Sequence, residues 1–160
     1  MMKNVRRILK ETVSLAQQAV LLLPLPKIVV DKAWATLWSI QAKYCADVDR
    51  LHAKKWRQFC HTMHRKNVIC CARETNDLTD ENIRGLMFHE LAHIIAEQHT
   101  DLLFQDSGLQ VEQDERGQPL FFMGDQEVDP EIFADALAER IFQVRIYYDQ
   151  NKLQWVENQV

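Results

Sequence analysis

The segment His89-Glu90-Leu91-Ala92-His93 sets two histidines four residues apart with a glutamate beside the first. On an α-helix, residues four apart lie one turn above each other on the same face. Two imidazoles placed that way can share one metal ion at the ~2.0–2.1 Å of a Zn–N bond. Glu90 does not have to be a ligand. From its position it can take a proton from a zinc-activated water and pass it to a leaving group. The spacing therefore predicts His89 and His93 as zinc ligands and Glu90 as general base. The flanks Gly85-Leu86-Met87-Phe88 and Ile94-Ile95-Ala96 are apolar, so the segment reads as buried. Two histidines on an exposed helix face are the simpler alternative, but buried histidines and a buried glutamate are costly unless paired or metal-bound.

A catalytic zinc site needs a third protein ligand and an open position. Glu131 and Asp135 stand as E-x-x-x-D in Glu131-Ile132-Phe133-Ala134-Asp135. On a helix they share a face. Glu131 can bind the metal while Asp135 accepts a hydrogen bond from the free nitrogen of a ligand histidine and so fixes its tautomer. Acids near a helix start also need no special reason, since the dipole favours them there. His99 is the alternative third ligand. It falls in the H-E-x-x-H-x-x-G-x-x-H register of metzincins, except that Ala96 replaces the glycine. That glycine lets the chain turn out of the helix, whereas alanine continues it. In a continuous helix His99 sits roughly 80° round from His89 and about 9 Å along the axis from His93. Glu131 is therefore preferred over His99.

The motif helix together with Glu131-Ile132-Phe133-Ala134-Asp135-Ala136-Leu137-Ala138 resembles the gluzincin arrangement. In particular it resembles the small bacterial and phage-borne metallopeptidase-like proteins of the ImmA/IrrE type. That family shows H-E-L-x-H and then E-x-E-A-N-x-F-A. Glu131 matches the first acid, Ala134-Asp135 matches A-N and Leu137-Ala138 matches F-A, while Phe133 stands in place of the second acid. The resemblance covers roughly residues 68 to 149. The interval from His93 to Glu131 is long for the family and implies an insertion within residues 100 to 126. The resemblance implies hydrolysis of peptide bonds in a cytoplasmic protein or peptide substrate, with Zn2+ as cofactor. A regulatory or binding protein that keeps the site without cleaving is the alternative.

The implied fold is α+β and zincin-like: a small, mainly antiparallel sheet packed on helices, with the H-E-x-x-H helix central and a C-terminal glutamate-bearing helix beside it. The local signals agree. Thr79 can cap a helix from about Asp80 to His99, with Leu78 and Ile83 as a hydrophobic staple. Asp129-Pro130 can start the second helix, the aspartate as cap and the proline in the first turn. Its apolar periodicity continues through Ile141 and Phe142 toward Ile146-Tyr147-Tyr148, which predicts a long final helix. Val68-Ile69-Cys70-Cys71-Ala72 and the Arg57-to-Met63 stretch read as a β-hairpin turning at Arg65-Lys66-Asn67, and residues 109 to 122 as a second hairpin or an ordered loop. Val5, Ile8, Leu9, Val13, Ala16 and Val20 give an N-terminal amphipathic helix, stopped by Leu23-Pro24-Leu25-Pro26. Asp31 can cap a further helix, with Trp34, Leu37, Trp38, Gln41 and Cys45 along one face and the two tryptophans in the core.

The chain has 160 residues and reads as one domain, residues 1–26 forming the N-terminal helix and a proline-containing connection. A net charge of -4 lacks the basic excess of nucleic-acid-binding proteins, so no nucleic acid is expected. The apolar run Ala19-to-Leu23 is far too short to span a bilayer, so no membrane is expected either. Cys45, Cys60, Cys70 and Cys71 contain no C-x-x-C pair and are read as four reduced thiols of a cytoplasmic protein. Cys60 and His64 would share a strand face, where an exposed position is a simpler reading than a second metal site. His64, Tyr147 and Tyr148 are available by type to stabilise an oxyanion, and the sequence assigns none of them.

Overall fold

A computed structural model describes residues 2–46, 48, 60–63, 66–103, 108–149 and 152–157. The architecture is mixed α+β. Two helices, α1 (Lys3–Leu21) and α2 (Lys27–Ser39), precede strand β1 (Gln41–Tyr44). Strands β2 (Cys60–Met63) and β3 (Val68–Cys71) lead to the long helix α3 (Asp80–Gln98). After it come β4 (Leu109–Gln113), β5 (Pro119–Met123) and the short β6 (Gln126–Glu127), then helix α4 (Pro130–Ile141) and the hairpin β7 (Val144–Asp149) and β8 (Lys152–Glu157).

Helix α3 starts where local chemistry says it should. The Thr79 side chain accepts from the Asn82 N–H, and Asp80 and Glu81 occupy the positive first turn. The helix is apolar almost all round, and Ile83, Leu86, Met87, Phe88, Leu91, Ile94 and Ile95 are fully buried. Such a helix belongs inside a fold rather than on its surface. It packs against α1 and α4 and against strands β8 and β2. From α1 come Val5, Ile8, Leu9 and Val13, the face its periodicity marks.

Among the described residues, three small sheets accompany the helices. In the first, of order β1-β3-β2, β1 runs parallel and β2 antiparallel to β3. The β2–β3 hairpin was expected; its turn includes Asn67 at φ 52, in the left-handed region that asparagine tolerates. In the second sheet β5 pairs with both β4 and β6. Gly117, at φ 76, closes the β4–β5 turn, where Asp114 Oδ1 accepts from the N–H groups of Arg116 and Gln118.

Four sequence expectations are corrected. Helix α2 begins after Pro26, so Asp31 lies inside it rather than at its cap. Its buried line is Val30, Ala33 and Leu37; Trp34 and Trp38 fall on the neighbouring face, 38% and 68% exposed, and stack on each other with ring centroids 6.1 Å apart. Gln41 does not continue that helix, because pairing with β3 turns residues 41–44 into strand. The final helix stops at Ile141: Phe142 caps it, Gln143 adopts φ 55, and Tyr147 and Tyr148 lie in β7.

A fifth correction concerns sulfur. Cys45 and Cys70 form a disulfide, with Cα atoms 5.4 Å apart, while Cys60 and Cys71 are free and buried. Pairing of β1 with β3 carries Cys45 to the side of β3 opposite the main core, where Cys70 points. The thiol count therefore no longer argues for a reducing compartment. Among the described residues no helix is long and apolar enough to cross a membrane.

Phe133 and Trp38 test this account of burial. Phe133 is fully buried against Phe121, with centroids 4.9 Å apart. Phe133→Ala should lower the unfolding free energy by about 3–5 kcal/mol. Trp38→Ala should change it by about 0.5 kcal/mol or less, as for an exposed side chain. Denaturant titration of both variants beside the parent chain measures the difference, and equal losses would contradict the facing of α2.

Candidate metal centre

His89 and His93 sit in the third turn of α3 and beyond, one helical turn apart, with rings edge to face and centroids 4.7 Å apart. His89 is 1% exposed and Glu90 3%, inside an apolar helix. The partners they require come from α4. Asp129 caps that helix by accepting from the Glu131 N–H at 2.7 Å, and Pro130 occupies the first turn. This start fixes the rotation of α4, so Glu131 and Asp135, one turn apart, both face α3.

The contacts are close. His89 Nδ1 lies 2.6 Å from Asp135 Oδ1, and His89 Nε2 contacts Glu131 Oε2. His93 Nε2 stands 3.1 Å from His89 Nε2 and 3.3 Å from Glu131 Oε2. Ligand atoms arranged tetrahedrally at ~2.0–2.1 Å around one zinc ion stand roughly 3.3–3.4 Å from each other. His89, His93 and Glu131 form a group that could hold a metal ion, each offering one atom and all within 4.8 Å of one another. With Nδ1–H of His89 donating to Asp135, its Nε2 is left to present a lone pair to that point.

The electrostatics favour positive charge at the same place. Burial alone pulls the His89 pKa down, yet hydrogen bonding with Asp135 and Glu131, helped by the charge of Glu90, pushes it up to about 10. Burial raises Glu131, but hydrogen bonds from His89 and His93 outweigh it and hold the carboxyl well below the ordinary carboxylate range. Glu90 goes the other way. Burial pushes its carboxyl up to about 7 against the opposing pull of His93 and His89. Its Oε2 is buried and has no hydrogen-bond partner among the described residues. An unpaired buried oxygen of this kind is costly unless something polar meets it.

A cleft of about 410 Å³ opens over Glu90, His93 and Glu131. One wall is β2, through Cys60, His61 and Thr62; the other is the β4–β5 hairpin, through Pro119 and Phe121. A larger groove of about 690 Å³ lies elsewhere, between α1 and β1. The smaller cleft is the relevant one, because the ligand set opens into it.

Of the residues singled out from the sequence, the structure brings His89, Glu90, His93, Glu131 and Asp135 together. His99 is kept apart. Its N–H bonds to Ile95 O as α3 ends, and its Nε2 lies 2.6 Å from Thr36 Oγ1. Cys60 is buried, not the exposed strand position expected from the sequence, and His64, its supposed partner in a second metal face, lies outside the described residues. The cleft walls were not foreseen. The β4–β5 hairpin itself was legible, but nothing local in it says that Phe121 docks on α4. No protein-family model matches the chain, and no curated protein or solved structure matches it.

A zinc-competition titration ranks the ligands. His89→Ala, His93→Ala and Glu131→Ala should each lose stoichiometric binding, since two ligands cannot replace a full set. Asp135→Ala should weaken affinity by roughly 10- to 100-fold, and His99→Ala should leave it unchanged. If His99→Ala proves the most damaging, the third ligand is wrongly assigned.

Proposed function

We propose that the chain is a zinc-dependent metallopeptidase of the gluzincin kind, with His89, His93 and Glu131 as metal ligands, Glu90 as general base and Asp135 orienting His89. The observation that carries this reading is the convergence of two helices. Glu131 and Asp135 of α4 reach both ring nitrogens of His89, across 42 and 46 residues of chain, while the adjacent Glu90 keeps a buried oxygen without a partner among the described residues. Two imidazoles and one carboxylate suit zinc, whereas magnesium and calcium take oxygen ligands. Three protein ligands leave one position open on the cleft side, which is the mark of a catalytic rather than a structural site.

A zinc ion held there supplies a polarised substrate carbonyl and a lowered pKa for the attacking water. The remaining steps belong to the chain. Glu90 accepts the proton of the attacking water and delivers it to the leaving amine. Burial favours the protonated form it needs for the second step. Asp135 holds the His89 ring so that Nε2 faces the metal. Peptide is favoured as the substrate class by the cleft wall. Among the described residues β2 pairs only with β3, so its other edge offers main-chain groups to an extended polypeptide.

The test uses a library of random-sequence peptides, with new termini read by mass spectrometry. The zinc-loaded chain should generate termini that a chelator abolishes. Glu90→Gln should retain stoichiometric zinc and slow cleavage by about 10²- to 10⁴-fold, the usual loss on removing a general base. Cleavage by this variant at the parent rate would remove Glu90 from the chemistry. A zinc-loaded parent that yields no new termini would favour the regulatory protein that keeps the site without cleaving.

A further inference from the structure

Two thiols take no part in the proposed metal chemistry, yet they adjoin it. Cys60 opens β2 and Cys71 closes β3, and the antiparallel register sets them directly opposite each other. Cys71 O accepts from the Cys45 N–H on the β1 side of the sheet. The N–H and C=O of one strand residue point the same way, so Cys71 turns no backbone bond toward Cys60. The two therefore form a non-hydrogen-bonded pair, in which Cα atoms stand about 4.5 Å apart and side chains approach most closely. A disulfide spans that separation. The sulfurs already lie 3.3 Å apart, Cys60 donating its S–H to Cys71. Both belong to the main core, on the other side of the sheet from the Cys45–Cys70 bridge. Cys71 has no exposure, whereas Cys60, although 4% exposed, forms part of the wall of the Glu90 cleft.

We propose that Cys60 and Cys71 are a redox-active dithiol that closes to a second disulfide in the wall of this cleft, with a small-molecule disulfide of the glutathione class as oxidant. The Cys60 thiolate attacks one sulfur of the reagent. A mixed disulfide forms on Cys60 and one small thiol leaves. Cys71, its proton passed to solvent, then attacks the Cys60 sulfur and releases the second small thiol. Two protein thiols are oxidised and one reagent disulfide is reduced to two thiols, so the exchange balances with no further electron acceptor. Cys60 reacts first because it lines the cleft and keeps some exposure, whereas Cys71 has none. Cys71, which has no exposure, reacts second, at the neighbouring Cys60 sulfur. Burial, with Cys71 and Glu90 adding and Thr75 opposing, holds the Cys60 thiol well above its ordinary pKa. The first step is therefore slow, as exchange at a protonated thiol is. The inference is independent of peptide cleavage and needs no metal.

The chain carrying both Cys45→Ser and Cys70→Ser keeps only this pair. Reduced, treated with excess oxidised glutathione, alkylated in denaturant and digested with trypsin without reductant, it should yield peptide 58–65 joined to peptide 67–73. Should that variant fail to fold, the parent chain gives a second reading. Fully reduced and then oxidised in the same way, it should lose the mass of four hydrogens and leave no alkylated cysteine. The order of steps is read from two single variants. Cys71→Ser should stop with one glutathione on Cys60, and Cys60→Ser should leave Cys71 free of glutathione. The proposal is overturned if Cys60 and Cys71 of the folded parent both remain alkylatable after oxidation, or if Cys71→Ser takes up no glutathione at Cys60.

Discussion

The constraint on which the rest of the structure depends is the burial of His89 and Glu90 in a helix that is apolar on nearly every side. Leu86, Met87, Phe88, Leu91, Ile94 and Ile95 drive α3 into the interior, each contributing roughly 1.5–3 kcal/mol by leaving water. The polar pair goes in with them. A buried polar group without a partner gives back a comparable amount, so another element must supply partners for His89 at this point. That element is α4, and what it supplies is two carboxylates set one turn apart to meet one imidazole from both ends.

The precision of that meeting is set by very local chemistry. Asp129 accepts from the Glu131 N–H, and Pro130 fixes the first turn. Together they determine where α4 begins, and so which of its faces carries Glu131 and Asp135. Phe133 lies between them in sequence and turns the opposite way, into the core against Phe121. A single short helix thereby presents acids to α3 and an aromatic ring to the β4–β5 hairpin. The Phe133 position serves packing, and the acids on either side of it do the bonding.

Those parts of the molecule governed by neighbours in sequence were legible in it. Thr79 and Asp129 are caps whose partners lie two or three residues away, and the spacing of His89, His93, Glu131 and Asp135 on two regular helices already told which faces could meet. What was not legible depends on pairing across long stretches of chain. Residues 41–44 follow a helical pattern locally but become strand because β3 is beside them. Trp34 and Trp38 look like core residues by type, yet the register set by Val30, Ala33 and Leu37 turns them outward. Apolar periodicity runs past Ile141, but the chain leaves the helix at Gln143, a non-glycine residue with positive φ that no propensity argument selects. The Cys45–Cys70 bridge joins residues that only the sheet brings together.

The same reasoning explains why the third member of the ligand group had to come from outside α3. The helix remains regular through Ala96, and His99 N–H still bonds to Ile95 O at its end. No residue immediately downstream can swing back to the ring nitrogens of His89 and His93, and His99 settles against Thr36 instead. The chain must therefore travel away and return. The segment between the two helices makes that return reproducible: Val128 N–H bonds to Phe121 O just before the α4 cap, and Phe121 packs on Phe133 just after it. The hairpin thus grips α4 on both sides of its first turn. It also forms the wall of the cleft opposite β2. The β4–β5 hairpin thus both positions the Glu131 carboxylate and bounds the cleft into which it opens.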